Sequence, residues 1–302
     1  MKMTKKRWLI LISSILIIII AVFSILQLPY FQLSSEQRER EEALREQITP
    51  ESTENEEDTE DGSEEVMGDV DEQENEELAV DESFENTFEF ASEEDVDIVA
   101  LGDSLTQGVG DDTNQGGYVG ILDRTLQALD TNVHFDNFGK RGNRSDQLLT
   151  RLEEEPELTN ALEEADIIII TIGANDIMQV LKENIMDLEI SYFNDEQSFY
   201  EERLSGIFDK LRSINADASI YLLGIFNPFK NYFEDIPELD QIVADWNTIG
   251  REMVNQYEGS TFVPIDDLFD EDDSANLFSD DNFHPNYDGY YLMAERILEY
   301  FN

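Results

Sequence analysis

Ser104 stands in GDSLTQG (102–108), a glycine-flanked stretch that directly follows an apolar run. A serine hydroxyl in such a turn becomes a nucleophile once a base removes its proton. The chain holds two histidines, so the base is His134 or His284. His134 lies between Val133 and Phe135 in an alternating segment and reads as a structural or surface residue. His284 lies in the polar loop DNFHP (281–285), three residues after Asp281. That spacing lets the Asp281 carboxylate reach the imidazole nitrogen facing away from Ser104 and fix its tautomer. Asp280 is an adjacent competitor for the role. Two further residues offer hydrogen bonds to a developing oxyanion. Asn175 in GAND (173–176) carries an amide donor that keeps its charge, and Gly142 in NFGKRGNRS (137–145) carries a backbone donor. A nucleophile, a base, an orienting carboxylate and oxyanion donors are the parts of acyl transfer by a serine hydrolase. Each also has a plainer reading. Ser104 and Asn175 serve as turn or capping residues, Gly142 as a turn glycine with positive φ, and 281–285 as an acidic loop.

The elements around these residues alternate in type. VDIVALG (96–102), ADIIIITIGA (165–174), SIYLLGIF (219–226) and TFVPI (261–265) are short apolar, largely β-branched runs and predict buried strands. NVHFDNFG (132–139) alternates and predicts another strand. Helical spacing marks 117–129, 145–158 with Ser145 as N-cap, about 197–214, 236–257 and the closing NYDGYYLMAERILEYF. Strands alternating with helices imply an α/β layer fold with a largely parallel sheet, whose ligands sit beyond the carboxyl ends of the strands. All three chemical motifs are expected there.

Composition divides the 302 residues. Length alone would allow about two domains, but only 96–302 has the apolar content for a core, enough for one. Lys2, Lys5, Lys6 and Arg7 precede an uncharged run from Trp8 to Leu26, long enough to span a bilayer. Residues 1–31 therefore predict a single-pass anchor with its basic start in the cytoplasm and the remainder outside. A cleaved signal peptide that frees a secreted domain is the rival reading. Residues 32–95 are acidic, poor in apolar residues and expected to form a disordered, self-repelling spacer, with FENTFEFA (84–91) packing on the domain edge.

The net charge of -51 argues against nucleic acid as a partner, since phosphate backbones are bound by clustered Lys and Arg. The absence of cysteine excludes disulfides, thiolate catalysis and Cys-ligated zinc. DEDDSANLFSDD (270–281) has oxygen ligands at alternate positions, but Ala275 replaces the required glycine and the terminal Glu is absent, so no metal is expected.

Taken in order, GDSL, NFGKRG, GAND and DNFHP resemble the four sequence blocks of the SGNH hydrolases, the GDSL family of esterases and acylhydrolases, over roughly residues 96–302. The resemblance implies a flavodoxin-like three-layer α/β/α fold with no metal or organic cofactor. It places Ser104, His284 and Asp281 in a catalytic triad, and Gly142, Asn175 and the Ser104 N–H in the oxyanion hole. Lys140, Arg141 and Arg144 around Gly142 are less typical. They either favour an anionic substrate group or balance local acids. The expected protein is an extracellular membrane-tethered hydrolase of lipid or lysophospholipid acyl esters, or of acetyl esters on a wall glycan. The competing readings are a non-catalytic surface module that binds a glycan or partner, and a hydrolase of thioesters or amides.

Overall fold

The computed structural model describes residues 95–128, 132–184, 186–228, 238–270 and 274–301. The expected anchor (1–31) and all but the last residue of the expected spacer (32–95) lie outside the described residues. Among the described residues no helix is long and apolar enough to cross a membrane.

Five strands form one parallel sheet in the order β2-β1-β3-β4-β5: β1 (Val96–Gly102), β2 (Val133–Gly139), β3 (Ile167–Thr171), β4 (Ser219–Leu223) and β5 (Ser260–Val263). Successive side chains in a strand point to opposite faces, and the two faces fill two separate cores. Val99, Leu101, Ile168 and Ile170 pack on one side with α3 (Ser145–Glu154), α4 (Pro156–Glu164), α5 (Ala174–Asn184), α6 (Ile190–Ile214) and α7 (Glu238–Val254). Ile98, Ala100 and Ile169 pack on the other side with α2 (Gly117–Gln127) and α8 (Tyr287–Tyr300). This is the expected α/β/α arrangement. The isoleucine run of β3 is buried on both faces because it sits mid-sheet with helices above and below.

Four details differ from the sequence expectation. The helix read over 145–158 is two helices, because Glu155 turns extended before Pro156, whose ring cannot continue a helix. Its N-cap is Arg144 rather than Ser145, whose side chain is drawn elsewhere. Finally, α6 begins at Ile190, ahead of the position near 197, and α5 follows β3 where no helix had been assigned.

Strand register is what assembles the motifs. Gly102 at the end of β1 lies abreast of Gly139 in β2 and Thr171 in β3. The segments that follow these residues, 103–104, 140–142 and 173–175, therefore leave the sheet side by side at its carboxyl edge.

Candidate active site

Ser104 opens α1 (Ser104–Gln107), a single turn directly after β1, and is 5% exposed. Asp103 caps that turn: its Oδ1 accepts from Leu105 N at 3.0 Å and from Thr171 Oγ1 at 2.9 Å. The Thr171 hydroxyl has one proton and gives it to Asp103, so it accepts from Thr106 Oγ1 at 2.8 Å. Thr106 in turn meets Tyr118 Oη at 2.8 Å. This buried hydroxyl chain anchors the serine turn from below. Among the described residues Asp103 has no compensating cation in contact, and burial pushes its pKa from 3.8 up to about 6, partly offset by the Leu105 N–H, the Thr171 hydroxyl and the charge of His284.

His284 sits in a loop closed by a bridge between Phe278 and Pro285 and by Ser279 N donating to His284 O at 2.8 Å. Asp281 organises it. Its Oδ1 accepts from Ser279 Oγ, Phe283 N and His284 N at 2.8–3.0 Å, and its Oδ2 lies 2.6 Å from His284 Nδ1. Burial opposes the Asp281 charge, but the His284 ring and the two N–H groups outweigh it and hold the carboxyl well below its usual range. An ionised carboxylate only accepts, so Nδ1 carries the proton and Nε2 is left as the basic nitrogen. Asp281, not Asp280, is thus the partner of the imidazole. His134 is exposed on β2, 3.8 Å from Asp136, away from this loop.

The histidine loop and the serine turn are fastened to each other. Tyr290 Oη in α8 donates to Val109 O at 2.6 Å, just after α1. Gly110 has φ +98°, and a Cβ there would lie 2.7 Å from His284 Cβ and 2.5 Å from Pro285 O, so only glycine permits this approach. Ser104, Asn175 and Phe283, the residue before His284, line one cleft together with Asp103, Thr171 and the apolar side chains of Leu105, Ile172, Ala174, Ile225, Phe226 and Pro228.

The oxyanion candidates come together at the same edge. Lys140 to Asn143 form a turn closed by Asn143 N to Lys140 O at 3.0 Å, with Gly142 at φ +77° and exposed. Asn175 Nδ2 donates to Asn143 O at 3.1 Å, which orients its amide and ties it to that turn. Arg151 secures the turn from α3, donating to Asn143 Oδ1 at 2.7 Å and Phe138 O at 2.9 Å. Among the described residues neither the Ser104 N–H nor the Gly142 N–H has a hydrogen-bond acceptor.

Asp176 completes the support. It is buried, accepts from Ser145 N at 3.1 Å and Ser145 Oγ at 2.5 Å, and pairs with Arg203 of α6 at 3.3 Å. Burial pushes its pKa up to about 6, against the Ser145 bonds and the Arg203 charge. The start of α5, which carries Asn175, is thereby joined to the start of α3, which follows Gly142. Asp103, Thr171, Asn143 and Asp176 were not among the sequence candidates; the only local signal is a polar residue at the end of each apolar run. Among the described residues no cluster of His, Cys, Asp or Glu could hold a metal ion.

A family model described as the GDSL-like Lipase/Acylhydrolase family matches residues 100–292, spanning every residue of this site. The chain belongs to this family. The GDSL-like chain is 33% identical to the uncharacterized protein YpmR of Bacillus subtilis over 225 residues, 72% of this chain and 86% of that protein. It is 28% identical to the spore germination lipase LipC of Bacillus licheniformis over 205 residues, 66% of this chain and 92% of that one. Among solved structures it is similar to the lipase Lip_vut3 from a goat rumen metagenome, with TM-score 0.57 and 26% identity, covering 67% of this chain and 95% of that one. Membership makes this GDSL-like protein a hydrolase of carboxylic esters.

Proposed function

We propose that the chain cleaves the acyl esters of lipids through an acyl-serine intermediate on Ser104, outside the cytoplasmic membrane and tethered to it. The observation that carries the serine mechanism is the Asp281–His284 pair at 2.6 Å, in a loop fastened to the Ser104 turn. His284 Nε2 takes the Ser104 proton as Oγ attacks the ester carbonyl, and Asp281 stabilises the imidazolium that forms. The N–H groups of Ser104 and Gly142 and the Asn175 amide hold the oxyanion. His284 then gives its proton to the departing alcohol. Water, deprotonated by the same nitrogen, releases the acyl group as a carboxylic acid and frees the serine.

The apolar wall of the cleft suits a hydrocarbon acyl chain, and the similar lipases support a lipid ester. The basic start and uncharged run of residues 2–26 support the tether. Hydrolysis of p-nitrophenyl esters from acetyl to long acyl chains by the full chain tests the reading, with Ser104→Ala as control. Turnover abolished in the variant and rising with chain length is expected. Turnover that survives Ser104→Ala refutes the nucleophile, and a preference for acetyl refutes the lipid substrate.

A further inference from the structure

The buried face of α7 holds one polar side chain. Leu239, Ile242, Val243, Trp246 and Met253 are buried there, and among them Asn247 is only 2% exposed. Asparagine is a weak helix former and loses its water on burial, so its amide must find partners inside the protein. It finds both on one residue. Asn247 Oδ1 accepts from Ile225 N at 2.7 Å, and Asn247 Nδ2 donates to Ile225 O at 2.8 Å. The sheet serves the residue before, where Gly224 N donates to Val263 O at 2.8 Å. At Ile225 the Asn247 amide takes over and offers one acceptor and one donor, as a neighbouring strand would. Two glycines let helix and strand exit come this close. A Cβ on Gly250 would lie 2.9 Å from Phe262 Cε2, and one on Gly224 would lie 2.9 Å from Phe262 Cζ and 3.2 Å from Asn247 Oδ1.

The clamped segment is a wall of the cleft, since Ile225 and Phe226 both line it. Its two side chains reach the two halves of the site. A Cβ on Gly173 would lie 2.8 Å from Ile225 Cδ1, so Ile225 packs against the turn that carries Asn175. Phe226 packs on Phe269 and Phe278, with ring centroids 4.2 Å and 5.8 Å apart, and Phe278 bridges to Pro285 beside His284. The wall thus spans from the oxyanion turn to the histidine loop, and Asn247 grips the backbone of its first residue. An apolar wall holds an acyl chain by close contact, and a gap of about 0.5–1 Å already forfeits roughly a quarter to a half of that attraction. We infer that Asn247 is a positioning residue for acyl-chain selection. By clamping both polar groups of Ile225 it keeps the Ile225–Phe226 wall in contact with a long acyl chain, and it takes no part in the chemistry at Ser104.

This inference rests on the lipid-ester reading of the cleft, and one ratio separates the two. It is kcat/KM for p-nitrophenyl octanoate divided by kcat/KM for p-nitrophenyl acetate, measured on the full chain. Both esters report the same folded molecules and the same His284 titration, so an unfolded fraction or a slower triad cancels. Asn247→Leu keeps the volume and leaves both Ile225 groups without their partner. The ratio should then fall about tenfold, through the octanoate KM, the order expected when hydrogen bonds to the wall are lost. Asn247→Asp keeps the acceptor for Ile225 N but sets a second oxygen against Ile225 O. It should lower the ratio as well, and it decides the matter where the leucine variant does not fold. Ile225→Ala removes the wall side chain and spares the clamp. It should also lower the ratio, and adding Asn247→Leu should lower it little further, because both act through one contact. A ratio that neither Asn247 variant lowers, or losses that multiply in the double variant, overturns the role of Asn247 and leaves the lipid reading standing. A wild-type ratio below one overturns the lipid reading and the inference with it.

Discussion

Asp103→Asn should stabilise the protein while slowing it, and only above a definite pH. Both hydrogen bonds to Asp103 end on Oδ1, from Leu105 N and Thr171 Oγ1, and an asparagine carbonyl can accept both. What the substitution removes is a buried charge. The unfolded carboxyl titrates near 3.8 and the folded one near 6, so between these values the folded state holds the extra proton. Stability is lost as pH rises through that window, and the loss is complete above about pH 6. A shift of roughly two pH units at about 1.36 kcal/mol each makes the deficit about 3 kcal/mol. Urea denaturation near pH 8 should therefore find Asp103→Asn more stable than wild type by up to that amount, and near pH 4 the two should coincide. The same carboxylate lies within electrostatic reach of the His284 ring, where positive charge develops during serine attack. Ester turnover near pH 8 should fall on the order of tenfold, the worth of one screened charge contact. A variant destabilised equally at both pH values would refute the reasoning, because it would show Asp103 acting as a hydrogen-bond acceptor whose charge costs nothing.

Two further substitutions probe the proposed chemistry. Asn175→Ala should lower kcat on the order of 10²–10³ with KM little changed, as expected for a donor that meets charge only in the transition state; steady-state kinetics with a p-nitrophenyl ester checks this, and an effect confined to KM would remove Asn175 from the oxyanion hole. Asp281→Asn should lower kcat by about 10⁴, because an amide N–H facing Nδ1 selects the wrong histidine tautomer. Because Asp281 is held below its ordinary pKa, the stability it contributes is present at neutral pH and lost in acid, so the melting temperatures of variant and wild type should converge as pH falls below about 4.

Much of the molecule was legible because its signals are local. The β-branched runs of β1, β3 and β4 announce strands, and a glycine-flanked serine or an Asp three residues before a His is a pattern carried by neighbouring residues. The supporting residues were not legible for the opposite reason. Asp103 and Asp176 are aspartates in a chain full of solvated aspartates, and only the sheet register and the packing of α3 and α6 make these two buried. Ser145 looks like a cap in sequence, yet its hydroxyl answers to Asp176, thirty-one positions away. Asn143 bridges Asn175 and Arg151 through its carbonyl and its amide, a connection that exists only once three elements have met. The early start of α6 has the same origin: residues 190–196 are weakly periodic, and Phe193 is buried only as part of the core cluster that gathers residues of α3, α5 and α7 against α6.

The bond from Tyr290 to Val109 joins positions 181 apart, nearly the whole span of the domain. Ser104 emerges with the first strand, whereas His284 and the helix that fastens its loop emerge last. Because residue 284 follows residue 104 by 180 positions, a growing chain exposes its serine long before it has a base, and the two are held together only once α8 has docked. α8 supplies Tyr290, Met293, Ala294, Ile297 and Leu298 to the core on one face of the sheet, so its loss would uncover that face as well as release the histidine loop.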